Sequence, residues 1–161
     1  MNRILKILVA ISFILGALPL LWSKSPTAKI TISGGALTSE IEITDSRILD
    51  LSSAWGGRFL DSSARSAIAP PQVGPTYEVW FYIKSADNGV QRRYVLYYSP
   101  SEYSKKGLIY LPGKGQPWYR LNVSAILRDG NDGKWNYASP SWEELIKPVI
   151  TQAEAASTHR Q

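Results

Sequence analysis

Hydrophobic and polar residues are distributed along this chain in three distinct ways. From Ile7 to Trp22 no charged residue occurs, and Arg3 and Lys6 stand in front of that run. Through the middle of the chain apolar and polar positions alternate, with the period of two that half-buried strands require. Near the C-terminus, Trp142, Leu145, Ile146, Val149 and Ile150 recur at the spacing of one helical face.

The alternation resolves into elements. Ile30-Thr31-Ile32 and Ile41-Glu42-Ile43 predict two strands, separated by a turn or bulge at Gly34-Gly35. Thr44-Asp45 suits a helix N-cap, opening a short helix that carries Ile48, Leu49 and Leu51. Residues 52–76, with Pro70-Pro71 and Pro75, predict a long irregular connection. Tyr77–Lys84 and Val90–Tyr98 flank Asp87-Asn88-Gly89, a strong hairpin signal. A two-residue Asn88-Gly89 turn would pair Ile83 with Tyr94, Phe81 with Leu96 and Val79 with Tyr98 on one face. Tyr82 would then meet Val95 and Trp80 would meet Tyr97 on the other, with Lys84 opposite Arg93.

Leu108–Leu111, Trp118–Leu121 and Gly133–Tyr137 are further strand candidates, separated by turn chemistry at residues 112–115 and 129–133. The apolar stripe from Trp142 to Ile150 predicts a C-terminal helix. Ser139 or Ser141 can cap it, Pro140 suits its first turn, and Ser141 with Glu144 has capping-box spacing. Pro148 lies off the stripe and should kink or shorten the helix, and residues beyond about Ala155 should fray. The order predicts an α+β fold. Its expected form is a twisted antiparallel sheet of about five to seven strands, with the short helix and the C-terminal helix packed on one face.

The uncharged run behind two cations is the pattern of an export leader. Its 16 residues span roughly 24 Å as a helix at about 1.5 Å per residue, short of a hydrocarbon core of roughly 30 Å unless Ile4 and Leu5 join it. Ser23 and Ser25 meet the small-residue requirement of a cleavage site, whereas Pro26 opposes cutting. Residues 1–26 are therefore expected to be a signal peptide or a membrane anchor, followed by a single extracytoplasmic domain over 27–155 and a tail over 156–161.

Charge changes meaning once the leader is set aside. The chain has 18 basic and 13 acidic residues, and removing Arg3, Lys6 and Lys24 leaves 15 basic against the same 13 acidic. A domain so nearly neutral offers no electrostatic case for nucleic acid. Cysteine is absent, which excludes disulfides, thiol catalysis, thiolate metal sites and acylation of an N-terminal cysteine. The one histidine, His159, sits in the polar tail, so no histidine-based triad or multi-histidine metal site is expected in the domain core. No cofactor is expected.

Ile30-Thr31-Ile32-Ser33-Gly34-Gly35, Ile41-Glu42-Ile43-Thr44-Asp45, Tyr110-Leu111-Pro112-Gly113, and Gly133-Lys134-Trp135 with Ala138 resemble a family of small exported bacterial proteins of unknown function. The resemblance extends from about residue 29 to 150. It implies a bacterial envelope location and one compact domain behind a hydrophobic leader, often of lipoprotein type, and it implies no activity. This chain departs from the lipoprotein members in lacking the acylated cysteine.

Candidate chemistry is sparse. Asp129-Gly130-Asn131-Asp132-Gly133 offers oxygen ligands, but the sixth and twelfth positions of a calcium loop fall on Lys134 and Pro140 instead of Gly and Glu. Gly113-Lys114-Gly115 lacks the spacing of a phosphate loop. Glu143 and Glu144 are adjacent, so a helix points them about 100° apart and leaves them to complement its dipole. What is enriched is aromatic: Trp55, Trp80, Trp118, Trp135 and Trp142 accompany nine tyrosines. Trp80, Tyr82 and Tyr97 are the candidate binding residues, a flat platform if the C-terminal helix leaves them uncovered. The expected function is therefore a non-enzymatic interaction domain of the cell envelope, with an envelope protein or a cell-wall polymer as partner. The alternatives are a hydrolase using two carboxylates across a cleft, or an accessory subunit of a membrane transporter or sensor.

Overall fold

A computed structural model describes residues 25–63, 69–71, 74–85, 89–100, 106–123 and 131–158. The leader run, the hairpin tip at 86–88, Asp129-Gly130 and His159 lie outside the described residues. The strands are β1 (Thr27–Gly34), β2 (Ile41–Ile43), β3 (Tyr77–Lys84), β4 (Val90–Ser99), β5 (Leu108–Leu111) and β6 (Lys134–Tyr137). The helices are α1 (Ser46–Leu51), α2 (Tyr119–Val123) and α3 (Pro140–Thr158). All strand pairs are antiparallel, in the order β2-β1-β3-β4-β5-β6. A bridge between Leu60 and Ala138 lays a short piece of chain along the outer edge of β6. It is closed by bonds from Asp61 N to Tyr137 O at 3.0 Å and from Ser139 N to Phe59 O at 2.7 Å. The fold is α+β, as the element order implies.

The alternation in the strands sorts the sheet into two faces. Ile30 and Ile32, Val79, Phe81 and Ile83, Tyr94, Leu96 and Tyr98, and Ile109 and Leu111 are buried in one cluster. Trp142, Ile146 and Ile150 of α3 close over it, and Ile48 of α1 and Phe59 complete it. Phe59, Phe81 and Tyr94 meet with ring centroids 5.3 to 5.9 Å apart, within the range where aromatic pairs add to area burial. Asp45 caps α1 by accepting from Arg47 N at 2.9 Å, as its position before the apolar residues requires. No helix among the described residues is long and apolar enough to cross a membrane.

Five expectations need correction. In the hairpin, Tyr77 faces Tyr98, Val79 faces Leu96 and Phe81 faces Tyr94, a shift of two residues from the two-residue-turn register. Ser85 N bonds Gly89 O at 2.7 Å and closes a longer loop. A bulge between Phe81 and Tyr82 then sets Lys84 opposite Val90, so the Lys84–Arg93 pair does not form. From Tyr77 to Phe81 the shift is even, so the side chains there keep their faces, whereas beyond the bulge the register moves by three residues and sets Gln91 opposite Ile83. Second, Trp118–Leu121 is not a strand: Trp118 has φ +68° and α2 starts at the next residue. Third, Pro148 neither ends α3 nor shortens it. It sits on the exposed side, as does Glu144, whose carbonyl it deprives of a donor, and water can satisfy that carbonyl. Fourth, α3 runs to Thr158, past the expected fraying point. Its start also differs from the capping-box reading, since Ser141 lies inside the helix.

The sheet has an internal gap that a single side chain fills. β4 pairs with β3 over its whole length but with β5 only from Tyr97 to Ser99. Beyond that point Asn122 of α2 takes the place of a neighbouring strand. Its Oδ1 accepts from Val95 N at 2.9 Å and its Nδ2 donates to Val95 O at 2.7 Å, with the side chain buried. Asn122→Ala would leave a buried N–H and C=O unpaired, so a loss of about 2–3 kcal/mol is expected. Asn122→Asp should not rescue it, because a carboxylate cannot donate to Val95 O. Urea denaturation checks both, as a lower midpoint at unchanged slope.

Candidate aromatic binding face

The second face of the sheet has a different chemistry. Directly opposite residues on neighbouring strands share a face. The register therefore places Glu78 of β3, Tyr97 of β4, Tyr110 of β5 and Trp135 of β6 in one row across four strands. Tyr97 and Tyr110 rings lie 6.3 Å apart, and Tyr110 and Trp135 rings 5.2 Å apart. All three are half-buried. The row of three rings covers two inter-strand spacings, about 10 Å.

Above the row sits the turn between β5 and α2. Gln116 fixes it by accepting from Tyr110 Oη at 2.7 Å and from Gly113 N at 2.6 Å. Gly113 is required there because a Cβ would come within 2.7 Å of Gly133 Cα, where this turn meets the one before β6. The turn delivers Trp118 onto Trp80, ring centroids 4.6 Å apart and edge to face at 72°. Trp118 holds a left-handed backbone that tryptophan rarely adopts, and it stays 40% exposed. A non-glycine residue there costs of order 1–3 kcal/mol, and such strain collects at ligand clamps.

Polar groups tie these rings together. Trp80 Nε1 donates to Glu78 Oε1. Burial raises the Tyr97 phenol above its ordinary range, with the Glu78 charge adding to it. Beside Trp118 opens a cleft of about 630 Å³ whose lining includes Lys114, Gln116, Tyr119 and Arg120.

The sequence-predicted residues divide. Tyr97 is in the row. Tyr82 is half-buried on the same face, with Lys29 Nζ 4.9 Å above its ring. Trp80 is only 4% exposed, so the flat three-residue platform is not formed as expected. Its cover is not the C-terminal helix, which lies on the opposite face, but Trp118. Tyr110, Trp135 and Trp118 went unsingled by sequence reasoning. For the first two a signal existed: they alternate with Ile109 and Leu111, and with Asn136, as residues on the face away from the core do.

Carboxylates have been assigned other partners. Lys106, with Nζ 2.8 Å from Oδ2, and Ser63 hold the Asp61 carboxyl down to about 2. Arg47 does the same for Asp45, also to about 2. Tyr77 donates to Glu154. Glu143, expected to do no more than complement the helix dipole, is instead buried, accepting from Tyr98 Oη at 2.9 Å and Gly107 N at 2.6 Å. None of these contacts joins two carboxylates. Among the described residues there is no group of three or more His, Cys, Asp or Glu that could hold a metal ion.

No family model matches this chain, and neither a curated protein nor a solved structure matches it.

Proposed function

We propose that this chain is an exported, non-enzymatic binding domain of the cell envelope whose partner lies across the row Tyr97–Tyr110–Trp135. The observation that carries the reading is the row itself: three half-buried rings on the sheet face away from the core, flanked by an exposed tryptophan held in a strained backbone. Aromatic surface with one apolar face and polar tips is suited to contacts that must form and release in water. The uncharged run from Ile7 to Trp22 behind Arg3 and Lys6 supports export. Anchored or released, the domain would then meet envelope polymers first.

Trp118→Gly separates binding from folding. The variant loses the ring contact with Trp80, about 0.5–1.5 kcal/mol beyond the apolar area it buries, and glycine offsets part of that by relieving the left-handed backbone. A net loss of about 1–3 kcal/mol is expected, short of unfolding a domain that holds about 5–15 kcal/mol. Retention on isolated envelope material should fall about tenfold, equivalent to about 1.4 kcal/mol. Trp135→Ala should weaken retention in the same direction. Undiminished retention by both folded variants would overturn the reading.

A further inference from the structure

The cleft beside Trp118 has a charge pattern that narrows what could lie there. Its lining brings two cations, Lys114 and Arg120, next to an exposed indole and the amide of Gln116, and no carboxylate lines it among the described residues. Both cationic side chains are exposed and so available to a ligand arriving from solvent. An indole face presents a flat apolar surface matched by the C–H side of a sugar ring, and both cations line the same cleft as the indole. Arginine adds a planar fork that engages a carboxylate through two parallel hydrogen bonds. Glu78, opposite Tyr97 in the row, already accepts from Trp80 Nε1.

We propose that the Trp118 cleft is the acid-recognising end of the aromatic face and that its ligand is an anionic polysaccharide, one whose sugar rings carry carboxylates. The sugar stacks on Trp118, Lys114 and Arg120 hold its carboxylate, and the chain continues along the Tyr97–Tyr110–Trp135 row. This inference rests on the binding role proposed for that row. It adds the chemical class of the partner, and it gives the strained turn a use: the residue with left-handed backbone seats its indole on Trp80 and lines the cleft with both cations.

Affinity electrophoresis of the folded domain in gels containing polygalacturonate, alginate, neutral dextran, methyl-esterified polygalacturonate or oligodeoxythymidylate tests the assignment. Retardation by polygalacturonate or alginate, with little by dextran or the methyl ester, is expected. Trp118→Gly should abolish it. Lys114→Gln combined with Arg120→Gln should weaken it about five- to tenfold, and added salt should weaken the parent in the same way. Equal retardation by dextran or the ester, insensitive to the cation variants, would overturn the acidic-sugar assignment while leaving the aromatic row in place. So would absence of retardation by both acidic polymers when retention on whole envelope material still depends on Trp118. Stronger retardation by the oligonucleotide would overturn it in favour of a different class of polyanion. Undiminished retention of both Trp118→Gly and Trp135→Ala in the envelope assay as well would overturn both readings.

Discussion

Trp142→Ala is expected to cost the fold about 3–5 kcal/mol, the range for removing a large aromatic side chain from a packed core. A domain of this size holds only about 5–15 kcal/mol in total, so the variant should sit near the edge of stability. The magnitude follows from what the indole does. It is fully buried where α3 crosses the sheet, edge-on to Tyr98 with centroids 5.1 Å apart at 89°. Its Nε1 donates to Ser52 Oγ at 2.9 Å, and the Ser52 carbonyl in turn accepts from Thr27 Oγ1, also at 2.9 Å. One side chain thus joins the C-terminal helix, the end of α1 and the first strand. In urea the midpoint should fall by about 2 M at unchanged slope. Trp142→Phe should cost markedly less, because the ring contact survives and only the hydrogen bond and part of the volume are lost.

Glu143→Ala should be nearly as damaging, about 3–5 kcal/mol, although a surface glutamate in the first turn of a helix would contribute a few tenths. The carboxylate is buried with two donors aimed at it, Tyr98 Oη and Gly107 N. Removing it strands both in the interior, at about 1–3 kcal/mol each, and leaves a void besides. Glu143→Gln should recover part of the loss, since an amide oxygen can accept one of the two bonds while its NH2 group opposes the other. The same cluster makes Gly107 intolerant: a Cβ there would come within 2.5 Å of Glu143 Oε1 and 2.6 Å of Tyr98 Cε2. Tyr98 is fully buried and packed edge to face with Trp142, which leaves its ring little room to move. Thermal or urea unfolding of the Glu143 variants checks the order Ala worse than Gln.

Much of the fold was legible because burial imposes periodicity. The stripe on α3, the alternation in β3 and β4 and the capping aspartate before α1 all express which side of an element meets the core, and the structure places each as its pattern implies. Strand register was less legible, since a shift of two residues leaves the pattern of faces intact and only loop length distinguishes the alternatives. Trp118 was misread because a β-prone triplet after a glycine-rich turn looks like a strand. The left-handed residue follows a turn closed by the local bond from Gly113 N to Gln116 Oε1 and packs on Trp80, a tertiary contact.

The binding face was legible in kind and not in membership. Aromatic enrichment pointed to the sheet surface, and Tyr97 belongs to it, but Trp80 gave way to Trp118, which covers it. A row formed across β4, β5 and β6 requires the pairing of strands far apart in sequence, so Tyr110 and Trp135 could be assigned a face but not a neighbour. Glu143 was illegible for the opposite reason. Its local context, the first turn of a helix, explains a glutamate without any tertiary partner, and nothing in the sequence marks Tyr98 and Gly107 as its donors.

The aromatic face is tested most directly by following the indole N–H resonances of the labelled domain as solubilised cell-wall polymer is added. Trp118 and Trp135 should shift together and saturably, while Trp142, buried on the other side of the sheet, stays where it is. Shifts at Trp142 with Trp118 and Trp135 unmoved, or no shift at any of the three, would contradict the assignment of this face as the binding surface.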